Sequence, residues 1–467
     1  MFSITNVKES IKNIDTNIDV SNSTAAVLIF LPSIAGIFLL ISTGITSLKG
    51  ADKMYPINEI RKRFPSLTRE YNGKQVAYFD GPGGSQVEKN VIEAMVSYLS
   101  KGTANLHGEF PTSMETEQHI KKARKAIADL MNAQPNEVAF GQNSTSLMLS
   151  VARGLSKTWT SANNIVVTEI DHRSNVDSWL TAAEDQNTEV RFIPVDTETL
   201  SLDLSKVADL IDENTAIVAV TLASNAVGTI TDIKAITKRA RQVGAIVVVD
   251  AVHAVPHYYI NRDELDVDIL FCSAYKFFGP HIGISVIKED LFEKLSVYKL
   301  KPAPGFIPDK LETGTQNHEA IAAIESCVNF IASLGTGDTR SEKIQSAFSA
   351  IEEHEDKLAN LLRNALADIP EVTLYQAPDN VAKTPTIAFT INGADPVDVC
   401  KWLAENHSIF IASGDFYAST LADKLGLNET GGWIRAGLAP YNTEEETTRL
   451  IEAIQLYVAK HLSYQKI

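Results

Sequence analysis

A chain of 467 residues can build a large core and a second domain, and 44% hydrophobic with 21% charged residues is a globular composition rather than a disordered or polytopic membrane one. A formal charge of −16, with no basic stripe, excludes a general nucleic-acid binder, which must displace counterions from phosphates. Three cysteines, Cys272, Cys327 and Cys400, lie far apart with no C-x-x-C pair, which fits a reducing compartment and excludes a cysteine-based zinc site.

The first pattern along the chain is "AAVLIFLPSIAGIFLLISTGI", residues 25–45, an uncharged run long enough to cross a bilayer as a helix despite Pro32 and Gly36. It makes a poor signal peptide, because Lys8 and Lys12 are offset by Glu9, Asp15 and Asp19 and no small-residue cleavage site follows. If it spans, Lys49, Lys53, Arg61, Lys62 and Arg63 put the C-terminal side in the cytoplasm. The alternative is that residues 1–53 precede the true start and Met54 opens the globular chain. The glycine cluster "FDGPGGS" at 79–85 matches neither the dinucleotide fingerprint nor the P-loop and reads as a turn.

From Ala126 onward, short apolar runs alternate with helical patterns. "NIVVT", "TAIVAVT", "AIVVVD" and "DILFCS" have the β-branched bias of strands buried on both faces, and "DIKAITKRARQVG" is a helix stopped by glycine. Such alternation predicts a mostly parallel sheet with helices on both faces, whose ligands gather at the carboxyl ends of the strands. "GPHIGISVIKED" reads as a turn and an antiparallel edge strand. A long helical pattern from Ser341 to Asp368 then leads into a compact α+β unit. We therefore divide the chain into an extension over 1–54, a large domain over 55–335 and a small C-terminal domain over 336–467.

The polar residues closing these runs are the candidates for chemistry. Lys276 lies between Tyr275 and two phenylalanines: either it lays its stem along them with its charge in water, or it is desolvated, loses its proton readily and becomes a nucleophile for a carbonyl. Asp250 closes an apolar strand, a costly place for a carboxylate without a cation or donor. Asn143, Ser144 and Thr145 start a helix, where they serve as ordinary caps or face an anion such as phosphate. His172 stands just past the second strand. His253 and His257 have i, i+4 spacing, but Pro256 breaks the helix and no glutamate follows the first histidine, so no metal is expected.

Nine segments carry a resemblance: "YFDGPGGSQ", "TANLHGEF", "FGQNSTS", "DHRSN", "SNAVGT", "VVDAVHAVPH", "SAYKFFGPH", "ETGTQNHE" and "IRAGLAPYNT". Over about residues 55–460 the chain resembles the class V aminotransferases of fold type I, in their cysteine desulfurase-like branch. The resemblance implies a pyridoxal 5'-phosphate enzyme with Lys276 as its Schiff-base lysine, Asp250 on the pyridinium nitrogen, His172 on the ring face and His253 on the ring hydroxyl. It assigns the phosphate to Ser144, Thr145 and Ser273, the substrate carboxylate to Arg435, and contacts with cofactor and substrate to Asn225. His107, in the second segment, falls to the substrate. Gly314 and Thr315 imply a homodimer in which each subunit completes its neighbour's site.

Two departures bear on the reaction. Desulfurases carry a nucleophilic cysteine on a loop of the small domain, whereas "SIFIASGDFYAST" has Tyr417 near that place and no thiol; Tyr275 stands where histidine usually precedes the lysine. The expectation is a cytoplasmic catalytic domain acting on an amino acid or related amine by transamination, elimination or epimerisation. The alternatives are a desulfurase or other Cβ-eliminating lyase, or a silent relative serving as a scaffold.

Overall fold

The computed structural model describes residues 55–461; the apolar segment 25–45 lies outside them. Among the described residues no helix is long and apolar enough to cross a membrane.

The main sheet comprises β1 (Val138–Gly141), β2 (Asn164–Thr168), β3 (Glu189–Ile193), β4 (Thr215–Thr221), β5 (Ile246–Asp250), β6 (Ile269–Ser273) and β7 (Gly283–Ile287). Its order is β1-β7-β6-β5-β4-β2-β3. Strands β2 to β6 pair in parallel, and β7 runs antiparallel to both of its neighbours. The unbroken apolar runs follow from burial on two faces: Val247 and Val249 enter one core while Val248, between them, enters another. The edge position expected for β7 is not what forms. All five of its residues are buried, and β1 pairs along its outer side, so the edge belongs to β1.

The helices that matter for the site are α1 (Lys89–Lys101), α2 (Ser144–Leu155), α3 (Ser174–Gln186) and α4 (Ile233–Val243). Asp232 caps α4 by accepting the Ala235 N–H, and Gly244 ends it in the left-handed conformation, φ 78°. The first turn of α2 presses directly against β7, because Gly283 has no side chain; a Cβ there would fall on the backbone of Asn143 and Ser144. That contact brings a helix start to the sheet.

A long helix, α5 (Arg340–Ala367), carries the chain into the smaller C-terminal domain. There β8 (Val372–Tyr375), β9 (Thr386–Ile391), β10 (Ala412–Gly414) and β11 (Trp433–Gly437) form an antiparallel sheet in the order β8-β9-β11-β10, backed by α5 and by α6 (Pro396–His407). This core also takes residues from the other end of the sequence. Ala77 and Tyr78 pair in parallel with Ile409 and Phe410, Ala77 and Phe79 are buried among the C-terminal residues, and Asp80 bridges to Gly437.

Candidate active site

Four strands end on a polar residue: Thr168, Thr221, Asp250 and Ser273 close β2, β4, β5 and β6. Above these carboxyl ends lies a cavity of about 330 Å³, walled on the other side by Phe416, Tyr417 and Arg435 of the small domain. It brings together nine of the residues singled out in the sequence: Ser144, Thr145, His172, Asn225, Asp250, His253, Ser273, Lys276 and Arg435.

Lys276 follows β6 in a short turn, Ala274–Lys276, and its ammonium donates to the carbonyl of Pro82 in the glycine-rich turn. Burial, reinforced by the nearby Arg435 guanidinium and opposed by Asp80 and Asp250, brings its pKa down to about 7. Of the two sequence readings this supports the desolvated lysine. Asp250 is pushed up to about 6 by burial; its carboxylate accepts the Val252 N–H at 2.9 Å. No salt bridge to it forms among the described residues.

The Ser144 hydroxyl donates to the Cys272 carbonyl at 2.6 Å and lies 2.7 Å from the Ser273 hydroxyl. The Asn143 side chain accepts the Ser146 N–H at 2.8 Å as the cap of α2. The start of a helix, with backbone donors left over from its first turn, is thus presented to the cavity beside two serine hydroxyls.

His172 is driven down to about 4, first by burial and then by Lys276 and Arg435, so it is a neutral imidazole. Its Nδ1 accepts the Ser174 N–H at 3.1 Å, which leaves the proton on Nε2. His253 is also held neutral by burial, and its Nε2 is engaged by the hydroxyls of Thr386 at 2.9 Å and Thr384 at 3.2 Å. His257 points away from the cavity to Glu355, 2.9 Å from Nδ1, in a fully buried pair. Arg435 is 3% exposed: one terminal nitrogen donates to the Asn225 carbonyl at 2.7 Å, another stands 3.6 Å from Asp80, and Nε has no partner.

Two predicted residues are elsewhere. His107 and Thr315 line a second cavity of about 540 Å³ together with Gly314, and neither reaches the first. One residue inside the "DHRSN" segment had no role assigned from sequence. Asp171, 1% exposed, accepts from the Thr168 hydroxyl, from Asn175 at 2.7 Å and from the Thr221 N–H at 3.1 Å, tying the ends of β2 and β4 to α3. Burial, with Asp250 adding to it, pushes it up to about 7. Asp171 lies three residues beyond β2, and its donors come from three separate elements.

The aminotransferase class-V family profile matches residues 77–450. Among similar proteins, a cysteine desulfurase of Enterobacter sp. (strain 638) is 30% identical over 86% of this chain and 98% of its own length. An aminotransferase-like protein of Gibberella zeae is 30% identical with the same coverage. The solved apo structure of a cysteine desulfurase from Thermococcus onnurineus NA1 superposes with a TM-score of 0.76 at 29% identity, covering 86% of this chain and 98% of that one.

Proposed function

The chain belongs to the aminotransferase class-V family and is a pyridoxal-phosphate-dependent enzyme acting on an amino acid; from that premise we propose which residues do the work. The cavity suits the cofactor. A buried carboxylate raised by desolvation makes no salt bridge among the described residues, an amine titrates near neutrality, and a helix start at Ser144 and Thr145 presents its free backbone N–H groups to a phosphate. When bound, pyridoxal phosphate supplies an electron sink for charge developing on the substrate carbon.

Lys276 would hold the cofactor through its amine, and the same amine, close to neutral, would accept the proton from the substrate Cα. Asp250 keeps a proton on the ring nitrogen, and its burial makes that pairing strong because no water competes. Neutral His172 is assigned to the ring face, and His253, its Nε2 occupied by two threonines, to the ring hydroxyl through its other nitrogen. Ser144, Thr145 and Ser273 take the phosphate. Arg435 offers Nε and an adjacent terminal N–H to the substrate carboxylate as a fork, with Asn225 beside it.

The same proposal makes the enzyme a homodimer, with His107, Gly314 and Thr315 serving the neighbouring subunit's site. Helix α1 supports this by exposing Ile92, Val96 and Leu99 on one face, as a buried helix interface does. The free thiols favour a reducing, cytoplasmic setting for the catalytic unit.

The loop around Tyr417 carries no cysteine for a persulfide relay. Burial pushes the Cys272 and Cys327 thiols far up and Cys400 up to about 11, so none is an accessible thiolate. Transamination, elimination and epimerisation all use the residues above.

The observation that carries the reading is the single cavity where a near-neutral lysine, an unpaired buried aspartate and a hydroxyl-lined helix start meet. Its test is the near-visible absorbance of the purified protein and the trapping of cofactor on Lys276 by borohydride. A colourless protein that traps nothing after incubation with pyridoxal phosphate overturns it.

A further inference from the structure

The wall facing the strand ends is the loop around Gly414–Ala418, and its construction points to the substrate rather than the cofactor. Phe416 and Tyr417 both adopt left-handed backbone, φ 53° and 59°, which bulky residues avoid. Each strained peptide is fastened to the large domain: the Phe416 carbonyl accepts from Asn225 Nδ2 at 2.8 Å, and the Tyr417 carbonyl from the Arg173 N–H at 2.7 Å. Asp415 closes the turn from within, accepting the Tyr417 N–H at 3.0 Å and the Ser419 hydroxyl at 2.7 Å. Strain persists only where the surroundings over-determine it. Here it aims two rings at the cavity.

The Phe416 ring lies on the Arg435 guanidinium, 3.6 Å from centroid to carbon, and Tyr417 stacks beside His172 with centroids 5.3 Å apart and planes at 26°. Tyr275, held parallel to His281 at 4.8 Å, brings a third ring to the lining. With its face covered, one terminal nitrogen bonded to the Asn225 carbonyl and another 3.6 Å from Asp80, Arg435 keeps Nε without a partner, free for a carboxylate. The charged lining groups, Lys276, Asp250 and Arg435, are then committed to the cofactor and the carboxylate. Among the remaining lining residues the large side chains are the rings of Tyr275, Phe416 and Tyr417. Tyr417 is the open part of that wall, 68% exposed at the cavity's edge.

We propose that Tyr417 determines specificity and that the enzyme takes an amino acid with a flat, uncharged aromatic side chain, which packs against Tyr417 and the rings beside it. Offset or edge contacts between rings favour such a side chain over a small one even at equal carboxylate binding. The proposal rests on the amino-acid reading given above.

The test titrates the full-length holoenzyme with L-phenylalanine, L-alanine and L-cysteine and follows the cofactor absorbance band. Phenylalanine is expected to bind about tenfold more tightly than alanine, the size of one good ring contact. Tyr417→Ala should bring that ratio close to one, and Tyr417→Phe should keep it. Equal affinities in the wild type, or an unchanged ratio in Tyr417→Ala, overturn the aromatic assignment while leaving the amino-acid reading intact. A wild-type band that responds to no amino acid overturns both.

Discussion

The two walls of the cavity are built by opposite means. The strand-end wall is anchored on the sheet: Asp250 and Ser273 sit at the last positions of buried strands, fixed by pairing that would form whatever bound above them, and Lys276 follows three residues after Ser273. The loop wall has no ladder to hold it. Its aromatic residues are kept in a strained backbone by a few bonds that cross between domains. The contrast suggests a division of labour, with the chemistry on the part that cannot move and the choice of substrate on the part that can change without disturbing the sheet.

Four experiments break or sharpen this comparison. Lys276→Ala has the largest expected effect: no other amine lines the cavity among the described residues, so both the cofactor band and turnover should vanish. Retained, borohydride-trappable cofactor in this variant would refute the assignment of the strand-end wall to chemistry. Asp250→Asn should fold, since the amide oxygen still accepts the Val252 N–H, but lose on the order of a hundredfold in kcat, about 3 kcal/mol of transition-state stabilisation. Near-wild-type turnover would mean that the buried charge is not needed.

Asp171 tests how the wall is braced. Its carboxyl is raised to about 7 when folded, against about 4 in an unfolded chain, so from pH 4 to 7 the folded protein holds a proton that the unfolded chain has released. Stability from this group is full below pH 4 and is lost as pH rises through 7. Asp171→Asn should lower stability at pH 5 by roughly 1–3 kcal/mol, because an amide cannot satisfy both Asn175 and the Thr168 and Thr221 donors, yet show a shallower decline toward pH 7.5. Denaturant midpoints of the cofactor-free protein at the two pH values measure both effects; a slope equal to the wild type's would show that Asp171 stays ionised. The smallest effect belongs to the loop. Asp415→Ala removes two bonds inside the turn and should cost about 1 kcal/mol while accelerating amide exchange at Tyr417. Unchanged exchange there would mean that the Asn225 and Arg173 contacts hold the loop without it.

The difference between the walls also decides what could be read from sequence. The strand ends were legible because an apolar run closed by Asp250 or Ser273 announces both the strand and its end. Helix α4 was legible down to its terminal glycine. The covering of β7 by β1 was not, because the two are far apart in the chain and β1, only four residues long, carries no period of its own. Asp171 escaped a role because its partners Thr168, Asn175 and Thr221 come together only in the fold. Nor does anything in "GDFYAS" reveal that Phe416 covers Arg435, since that contact depends on a carbonyl gripped by Asn225.

The pairing of Ala77 and Tyr78 with Ile409 and Phe410 has a consequence for how the protein is made. Residue 77 leaves the ribosome long before residue 409, and at roughly 5–20 residues per second the nascent strand waits about 20–60 seconds for its mate. During that interval Ala77 and Phe79 lack the C-terminal residues that bury them in the folded chain. The smaller domain, although encoded at the end of the message, cannot close until the beginning of the globular chain returns to it.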